Sequence, residues 1–306
     1  MESPSLIMTS QDSPATVSPR TEPWTVRRVL AWVTEDFASR GVETPRLEAE
    51  LLLAHVLGAN RIQLIVDRDR PLTAHELGAY RALVTRRRNH EPVAYLRKER
   101  EFYGHDFEVD ARVLIPRPDT ETLVEVALKR SQERYLFGRL LDVCTGSGNV
   151  ALSFAKERPT WQVLATDLSS DAIAVASRNA VRLGVAWNVS FFAGDLFDPV
   201  KGQPRFHLIT ANPPYIPSEQ VDQLSPSIRN HEPRLALDGG QDGLDLIRRL
   251  IHDAPSWLEQ GGELALEMAC DQGSRVVEMM TRNGWQDVQI VRDLGQRDRV
   301  VRGIRP

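Results

Sequence analysis

The stretch Phe206-His207-Leu208-Ile209-Thr210-Ala211-Asn212-Pro213-Pro214-Tyr215 joins a short apolar run to a stiff polar arm. The run is rich in apolar and β-branched residues and is stopped by two prolines, which predicts a buried parallel strand over Phe206–Ala211. Its carboxyl end is where open α/β sheets place their ligands. Pro213 biases Asn212 towards extended backbone, Pro214 does the same to Pro213, and neither proline has an N–H to donate. The arm therefore presents the Asn212 amide, the carbonyls of Asn212 and Pro213, and the Tyr215 ring. Two acceptors and a flat ring can hold a planar –NH2 group. The same residues also suit a plain strand terminator with Asn212 as a turn residue.

Outward from this strand, the chain from Leu140 alternates strands and helices, the pattern of a parallel sheet with helices on both faces. Strands are expected at Leu140–Val143, Val163–Thr166, Val189–Phe192, Phe206–Ala211, Glu263–Met268, Asp287–Val291 and Val300–Ile304. The clearest helix is the Ala-rich Asp171–Val181. The first strand runs into Asp142-Val143-Cys144-Thr145-Gly146-Ser147-Gly148-Asn149. Small residues let the backbone turn sharply and approach a ligand, and the following helix offers its positive end. Ala151 stands where a dinucleotide fingerprint has its third glycine, and the lysine of an ATP-type phosphate loop is missing. With Asp142 ahead of it, such a turn suits a ligand bearing a cationic amino-acid moiety better than a polyphosphate.

Asp167 ends the second strand about 20 residues past Gly148, where a carboxylate grips both hydroxyls of a ribose. Helix capping is the alternative role, but Ser169 or Ser170 can serve it. The third strand ends in Gly194-Asp195-Leu196. There Asp195 can accept from an adenine amino group and Leu196 can pack on the ring. S-adenosyl-L-methionine fits all three acidic strand ends.

Upstream, residues 1–21 hold Ser, Thr and Pro among few large apolar groups and read as a disordered tail. Residues 22–100 read as a helical domain without visible chemistry. Val26, Val29, Leu30, Val33 and Phe37 share one helix face, Thr44-Pro45 opens a second helix that runs to Gly58, and Thr73 with Glu76 is a capping box. Arg86-Arg87-Arg88 reads as a solvated helix end, with a partner contact as the alternative. Residues 101–119 form a hairpin and linker between domains, ending in the rigid corner Pro116-Arg117-Pro118-Asp119, whose Arg117 can face the cleft. Residues 120–306 hold the sheet.

Hydrophobic residues make up 42% and charged ones 26%, with a formal net charge of −4 and a pI near 6.0. This argues against a chain-wide basic surface for nucleic acid. Cys144 and Cys270 are the only cysteines, too few for a disulfide framework or a Cys-based zinc site. No apolar stretch reaches the roughly 18–20 residues of a membrane span, and no secretory signal is visible, so a cytoplasmic address is expected.

The order glycine turn, Asp167, Gly194-Asp195 and Asn-Pro-Pro-Tyr resembles the class I S-adenosylmethionine-dependent methyltransferases that act on nitrogen. More closely, roughly residues 22–305 resemble the HemK/PrmC family. That likeness is carried by Leu47-Glu48-Ala49-Glu50-Leu51-Leu52-Leu53-Ala54-His55-Val56-Leu57-Gly58, Pro92-Val93-Ala94-Tyr95, Arg100-Glu101-Phe102-Tyr103-Gly104 and Ile115-Pro116-Arg117-Pro118. Glu232-Pro233-Arg234-Leu235-Ala236-Leu237-Asp238-Gly239-Gly240 and Gln272-Gly273 complete it. The resemblance implies a Rossmann-like seven-stranded sheet behind a small helical bundle that docks the substrate. It also implies methylation of the side-chain amide (N5) of the glutamine in the Gly-Gly-Gln motif of peptide chain release factors, by a monomer needing neither metal, membrane nor nucleic acid.

On that reading Asn212, Pro213 and Tyr215 are catalytic, and Pro214 and Arg117 help bind the substrate. The cofactor is held by Asp142, Cys144, Thr145, Gly146, Ser147, Gly148, Asp167, Asp195, Leu196 and Asn212. Cys144 departs from the family's usual glycine, as do Asp119, Arg97, His207 and Ala269 from its usual residues. Cys144 is similar to a sister group that methylates a glutamine of a large-subunit ribosomal protein, which stays open as an alternative substrate. Asn-Pro-Pro-Tyr is shared with adenine-N6 nucleic-acid methyltransferases, the other alternative. Gly239-Gly240-Gln241 spells the target tripeptide and is read as a glycine turn that matches it by coincidence.

Overall fold

A computed structural model describes residues 23–134 and 136–305; the tail expected over 1–21 lies outside the described residues. The chain divides between Ala82 and Leu83. The first unit holds α1 (Val26–Ser39), α2 (Pro45–Leu57), α3 (Arg61–Val66) and the start of α4 (Ala74–Arg88). All five apolar residues expected on one face of α1 are buried. Gly58 closes α2 in the left-handed conformation. The capping box forms reciprocally: the Glu76 N–H donates to Thr73 Oγ1 at 3.2 Å and the Thr73 N–H to Glu76 Oε2 at 2.8 Å. The Tyr80 hydroxyl donates to the Ala49 carbonyl at 3.0 Å and fastens α4 to α2. Helix α3 had no sequence signal because it buries only Leu64.

The second unit continues with α5 (Val93–Arg97) and the hairpin β1 (Glu99–Phe102) and β2 (His105–Glu108), so the hairpin begins at Glu99 rather than at 101. Its turn residues Tyr103 and Gly104 have φ of 51° and 73°, the double left-handed turn that matches strand twist. Then follow α6 (Glu121–Arg134), β3 (Arg139–Val143), α7 (Asn149–Glu157), β4 (Gln162–Asp167), α8 (Ser170–Leu183), β5 (Val189–Ala193) and β6 (Phe206–Ala211). The short helices α9 (Ser218–Val221) and α10 (Pro226–Arg229) precede α11 (Asp245–Asp253), β7 (Leu258–Glu267), α12 (Gly273–Arg282), β8 (Gln286–Arg292) and β9 (Asp298–Ile304).

Seven strands, all at expected positions, form one sheet of order β5-β4-β3-β6-β7-β9-β8. Strands β3 to β7 are parallel, and β9 runs antiparallel to both neighbours. Leu140 and Leu141 are both buried because adjacent strand residues face opposite layers. One layer collects Phe102, Leu123, Leu152 and Trp161, the other Ile209, Ile247, Leu264 and Met268. His207 serves the sheet: its Nδ1 accepts the Arg139 N–H at 3.1 Å and its ring meets Trp161 edge-on. The edge strand β8 is mostly exposed and pairs irregularly, with Asp287 at a φ of 47°. The chain crosses from one side of the sheet to the other between β3 and β6, and the crevice at their carboxyl ends is the switch point where ligands bind.

One buried charge cluster locks the sheet's middle. Glu263 on β7 meets Arg130 of α6 at 3.1 Å and Arg302 of β9 at 2.9 Å, and its side chain is only 2% exposed. Removing the carboxylate takes from buried Arg130 the acid it meets, while Arg302 keeps Asp287 at 3.5 Å. Glu263→Ala is expected to lower unfolding free energy by about 3–5 kcal/mol, as measured by denaturant titration.

Candidate active site

The turn after β3 is built around Asp142. Its carboxylate is 1% exposed and accepts the hydroxyls of Thr145 and Thr210, each at 2.7 Å. Burial pushes its pKa up to about 6, against the pull of those two hydroxyls and the Ala151 N–H. Asp142 lines the cavity, yet its hydrogen bonds go to the protein, so its first task is to tie the turn to β6. Cys144 sits at a φ of 59°. That left-handed conformation is one that glycine adopts far more readily than a residue with a side chain. Thr145 and Ser147 are buried, and the Ser147 carbonyl accepts from Asn179 Nδ2 at 2.9 Å. Gly148, at a φ of 80°, starts α7; a Cβ there would lie 2.9 Å from Leu152 and 3.1 Å from Ala176. A side chain at this position would therefore collide with α7's own Leu152 and with Ala176 of α8.

Asp167, at the end of β4, accepts the N–H groups of Gly146 and Ser169, both at 2.9 Å. Burial still raises its pKa, so further donors such as ribose hydroxyls would be favourable. The cap of α8 is Ser169, whose Oγ accepts the Ala172 N–H at 3.1 Å, so Asp167 is not needed for that role. Asp195 is held at 2.6 Å by Arg249 of α11, a long-range pairing that the sequence did not reveal. Leu196 is buried beside it with a φ of 44°, and its carbonyl accepts the Thr166 hydroxyl at 3.0 Å. A cavity joins these strand ends, with Cys144, Gly146, Asp167, Asp195, Leu196 and Asn212 among its lining. Gly146 offers open space above its backbone. A glycine turn, a carboxylate short of donors and an acid beside an apolar shelf match the amino-acid, ribose and adenine parts of S-adenosylmethionine.

The arm leaves β6 at the cavity's edge. Asn212 and Pro214 line the cavity, and Pro213 is buried. Asn212 Nδ2 donates to Thr120 Oγ1 at 3.2 Å, and the Tyr215 hydroxyl donates to Glu267 Oε1 at 3.2 Å. Pro213 and Tyr215 are absent from the cavity wall, so the structure brings Asn212 and Pro214 to the cofactor side of the arm. Arg117 lines the cavity as expected and pairs with buried Glu232, which also accepts the Ile115 N–H at 3.0 Å. The Tyr95 hydroxyl donates to the Val113 carbonyl at 2.6 Å and steadies the same corner.

The arm is fixed from behind. The Ile216 N–H donates to the Leu237 carbonyl at 3.0 Å, and the Gly239 N–H to the Ile216 carbonyl at 2.8 Å. A Cβ on Gly239 would sit 2.7 Å from the Pro214 carbonyl oxygen and 2.8 Å from Tyr215 Cα. The glycines of Gly239-Gly240-Gln241 thus serve close packing, and Gln241 is exposed.

Sequence reasoning missed Thr120, Glu232, Arg249 and Glu267. Glu267 carried a usable signal, since it is an acid in the otherwise apolar run Leu264-Ala265-Leu266-Glu267-Met268. Burial pushes its carboxyl up to about 7, opposed by Thr120, Arg299 and Tyr215. A carboxyl with a raised folded-state pKa gives stability that is present at low pH and lost as pH rises through that value. Glu267→Gln removes this loss. In thermal melts of the ligand-free protein, its stability relative to the parent is expected to improve from pH 5 to pH 8, by on the order of 3 kcal/mol.

Among the described residues no group of His, Cys, Asp and Glu is arranged to hold a metal ion, and no helix is long and apolar enough to cross a membrane. Residues 28–97 match the PrmC N-terminal domain and residues 118–229 the methyltransferase small domain. The chain is 45% identical to the release factor glutamine methyltransferase of Geobacter sulfurreducens, over 92% of this chain and 97% of that protein. It is 40% identical to the protein of the same name from Chlorobaculum tepidum, again over 92% and 97%. Among solved structures, the hMettl16 catalytic domain in complex with MAT2A 3'UTR hairpin 1 has a TM-score of 0.51 at 16% identity, over 67% of this chain and 75% of that one. That likeness concerns the fold alone. Identity at the level of the Geobacter and Chlorobaculum proteins, sustained along nearly the whole of both chains, makes this protein a member of the release factor glutamine methyltransferase family.

Proposed function

We propose that the protein transfers the methyl group of S-adenosylmethionine to the side-chain amide nitrogen of the glutamine in the Gly-Gly-Gln motif of peptide chain release factors. Asn212 and Pro214 of the Asn-Pro-Pro-Tyr arm, both lining the cavity, are the observation that carries this reading. The close relatives bear the release-factor name, which favours it over a ribosomal protein or an adenine base as the substrate.

Bound at the strand ends, S-adenosylmethionine supplies an electrophilic methyl on a cationic sulfur. Gly146, Asp167, Asp195 and Leu196 would hold it, with its reacting end turned to Asn212. An amide nitrogen is a weak nucleophile because its lone pair is delocalised into the carbonyl. Asn212 Oδ1 and the Pro213 carbonyl accept its two N–H groups and set the lone pair in line with the methyl. Both acceptors also stabilise the positive charge that grows on nitrogen, so they bind the transition state better than the ground state. The Tyr215 ring lies along the amide plane, and Arg117 steadies the flanking peptide. The arm contains no Asp, Glu or His, so the proton leaves nitrogen for water after the methyl has moved. Much of the acceleration is positional. The helical unit docks the release factor, and the protein works as a cytoplasmic monomer.

Label from methyl-labelled S-adenosylmethionine is expected only on the Gly-Gly-Gln peptide of a purified release factor, and not on its Gln→Ala variant or on DNA. Labelled DNA would transfer the case to base methylation. Asn212→Ala is expected to lower kcat by about 100-fold or more while S-adenosylmethionine affinity changes by less than about threefold. Equal losses in both would make Asn212 a structural residue.

A further inference from the structure

The far end of the arm is held by one buried side chain. Gln272 stands in the turn between β7 and α12, 57 residues along the chain from Tyr215, and is 5% exposed. Its Nε2 donates to the Tyr215 carbonyl at 2.9 Å and to the Gly243 carbonyl at 3.4 Å, while its Oε1 accepts the Ala269 N–H at 3.0 Å. These partners fix which way the amide lies. A backbone N–H can only donate and a carbonyl only accept, so a flipped amide would lose all three bonds. Gly243 makes the approach possible: it has a φ of 74°, and a Cβ there would collide with the Tyr215 carbonyl oxygen and lie 2.8 Å from Gln272 Nε2.

We propose that Gln272 is a positioning residue for methyl transfer, clamping the peptide that leaves the arm so that the Pro213 carbonyl and the Tyr215 ring keep one direction. The inference rests on the methyl-transfer reading above for its effect on rate, though not for its geometry. The peptide between Tyr215 and Ile216 is gripped on both edges: Gln272 donates to its carbonyl, and its N–H donates to the Leu237 carbonyl at 3.0 Å. At the near end of the arm, Ala211 is paired with Val143 and Leu266 in the sheet. Between these two anchors the prolines fix φ at 213 and 214. Few torsions are left to the arm, and the Tyr215 ring has its tip held by Glu267 at 3.2 Å.

Without the Gln272 bond the exit peptide can rock about its flanking bonds, and the acceptors that meet the substrate amide rock with it. Misplacing such groups costs rate while leaving ground-state binding nearly untouched. The other end of the Gln272 amide has a separate task, since the bond from Ala269 to Oε1 stays within the turn. One side chain thus carries a local bond and a long-range one, and the two can be removed separately.

The test compares the full-length parent with Gln272→Met, which keeps the length and removes both bonds, and Gln272→Glu, which keeps the acceptor for Ala269 but sets a carboxylate oxygen against two carbonyls. Methyl transfer to a release factor is measured as kcat and KM, S-adenosylmethionine affinity by calorimetry, and the Tyr215 carbonyl of the ligand-free protein by 13C NMR. Gln272→Met is expected to lower kcat by about 10- to 100-fold, with KM and cofactor affinity within about threefold of the parent, and to shift the Tyr215 carbonyl resonance. Gln272→Glu should be as slow near about pH 9 and gain on the parent towards about pH 6, because a protonated carboxyl has a hydrogen to donate to Tyr215. Glu267, raised to about 7 by burial, titrates in both proteins and cancels in that ratio. The acid beside Gly243, Asp242, is held down at about 2 by Arg248 and Arg275, and Asp298 beside Gly273 is paired with Arg292 at 3.1 Å. Gln272→Glu carries the same readouts should Gln272→Met fail to fold. A kcat within about twofold of the parent in Gln272→Met overturns the inference, as does an unmoved Tyr215 carbonyl. Cofactor affinity falling as far as kcat overturns it too, and so does a Gln272→Glu rate that gains nothing on the parent at low pH. A parent that methylates no release factor counts against the proposed function instead, because the carbonyl resonance reports the clamp without any substrate.

Discussion

A single carboxylate at the centre of the sheet holds the cofactor end together. Asp142 stands opposite Thr210 in the β3–β6 ladder and accepts its hydroxyl, while also accepting the hydroxyl of Thr145 and the N–H of Ala151. Removing a carboxylate from water is costly, and these donors offset that cost only together. They bind the turn, the start of α7 and the neighbouring strand to one point. That point lies where the sheet's strand order reverses, so the crevice is pinned at the position where backbone must be presented to a ligand. Gly148 lets the turn pass close to α8, Asp167 braces Gly146 from the next strand, and the arm departs from the strand bearing Thr210. Each would drift if the point came undone.

The fold was legible because its signals are local. Apolar runs of strand length separated by helical stretches placed every strand of the large sheet, and two prolines stopped β6 where they had to. The five-residue face of α1, the proline that opens α2 and the Thr73–Glu76 box are likewise written within a few neighbouring positions. Where a short element buries almost nothing, as in α3, no pattern exists to be read. The hairpin at Glu99 began earlier than its apolar alternation did, because a strand is defined by its partner's hydrogen bonds and not by its own composition.

The site was legible in its residues and less so in their bonds. Asn212, Asp167, Cys144 and Leu196 line one cavity as expected. Asp142 lines that cavity too, but its bonds to two threonines were not foreseen, and Asp195 meets Arg249 from a helix far along the chain. Thr120 stands just before α6 and Glu267 at the end of an apolar strand; nothing local in the sequence links either to the arm. Such polar pairings obey no periodicity. They depend on which strand ends become neighbours, and the topology supplies that information only after folding.

The bulged edge strand β8 has a consequence for the protein's life in a crowded solution. A sheet's last strand exposes unpaired backbone groups that invite another chain to add to it. Here Asp287 twists the strand out of register, and Gln286, Asp287, Gln289 and Arg292 are exposed along it. An incoming strand would meet broken spacing and would have to desolvate charge to pair. The parallel half of the sheet can therefore keep its long apolar strands without offering, on this side, a template for aggregation.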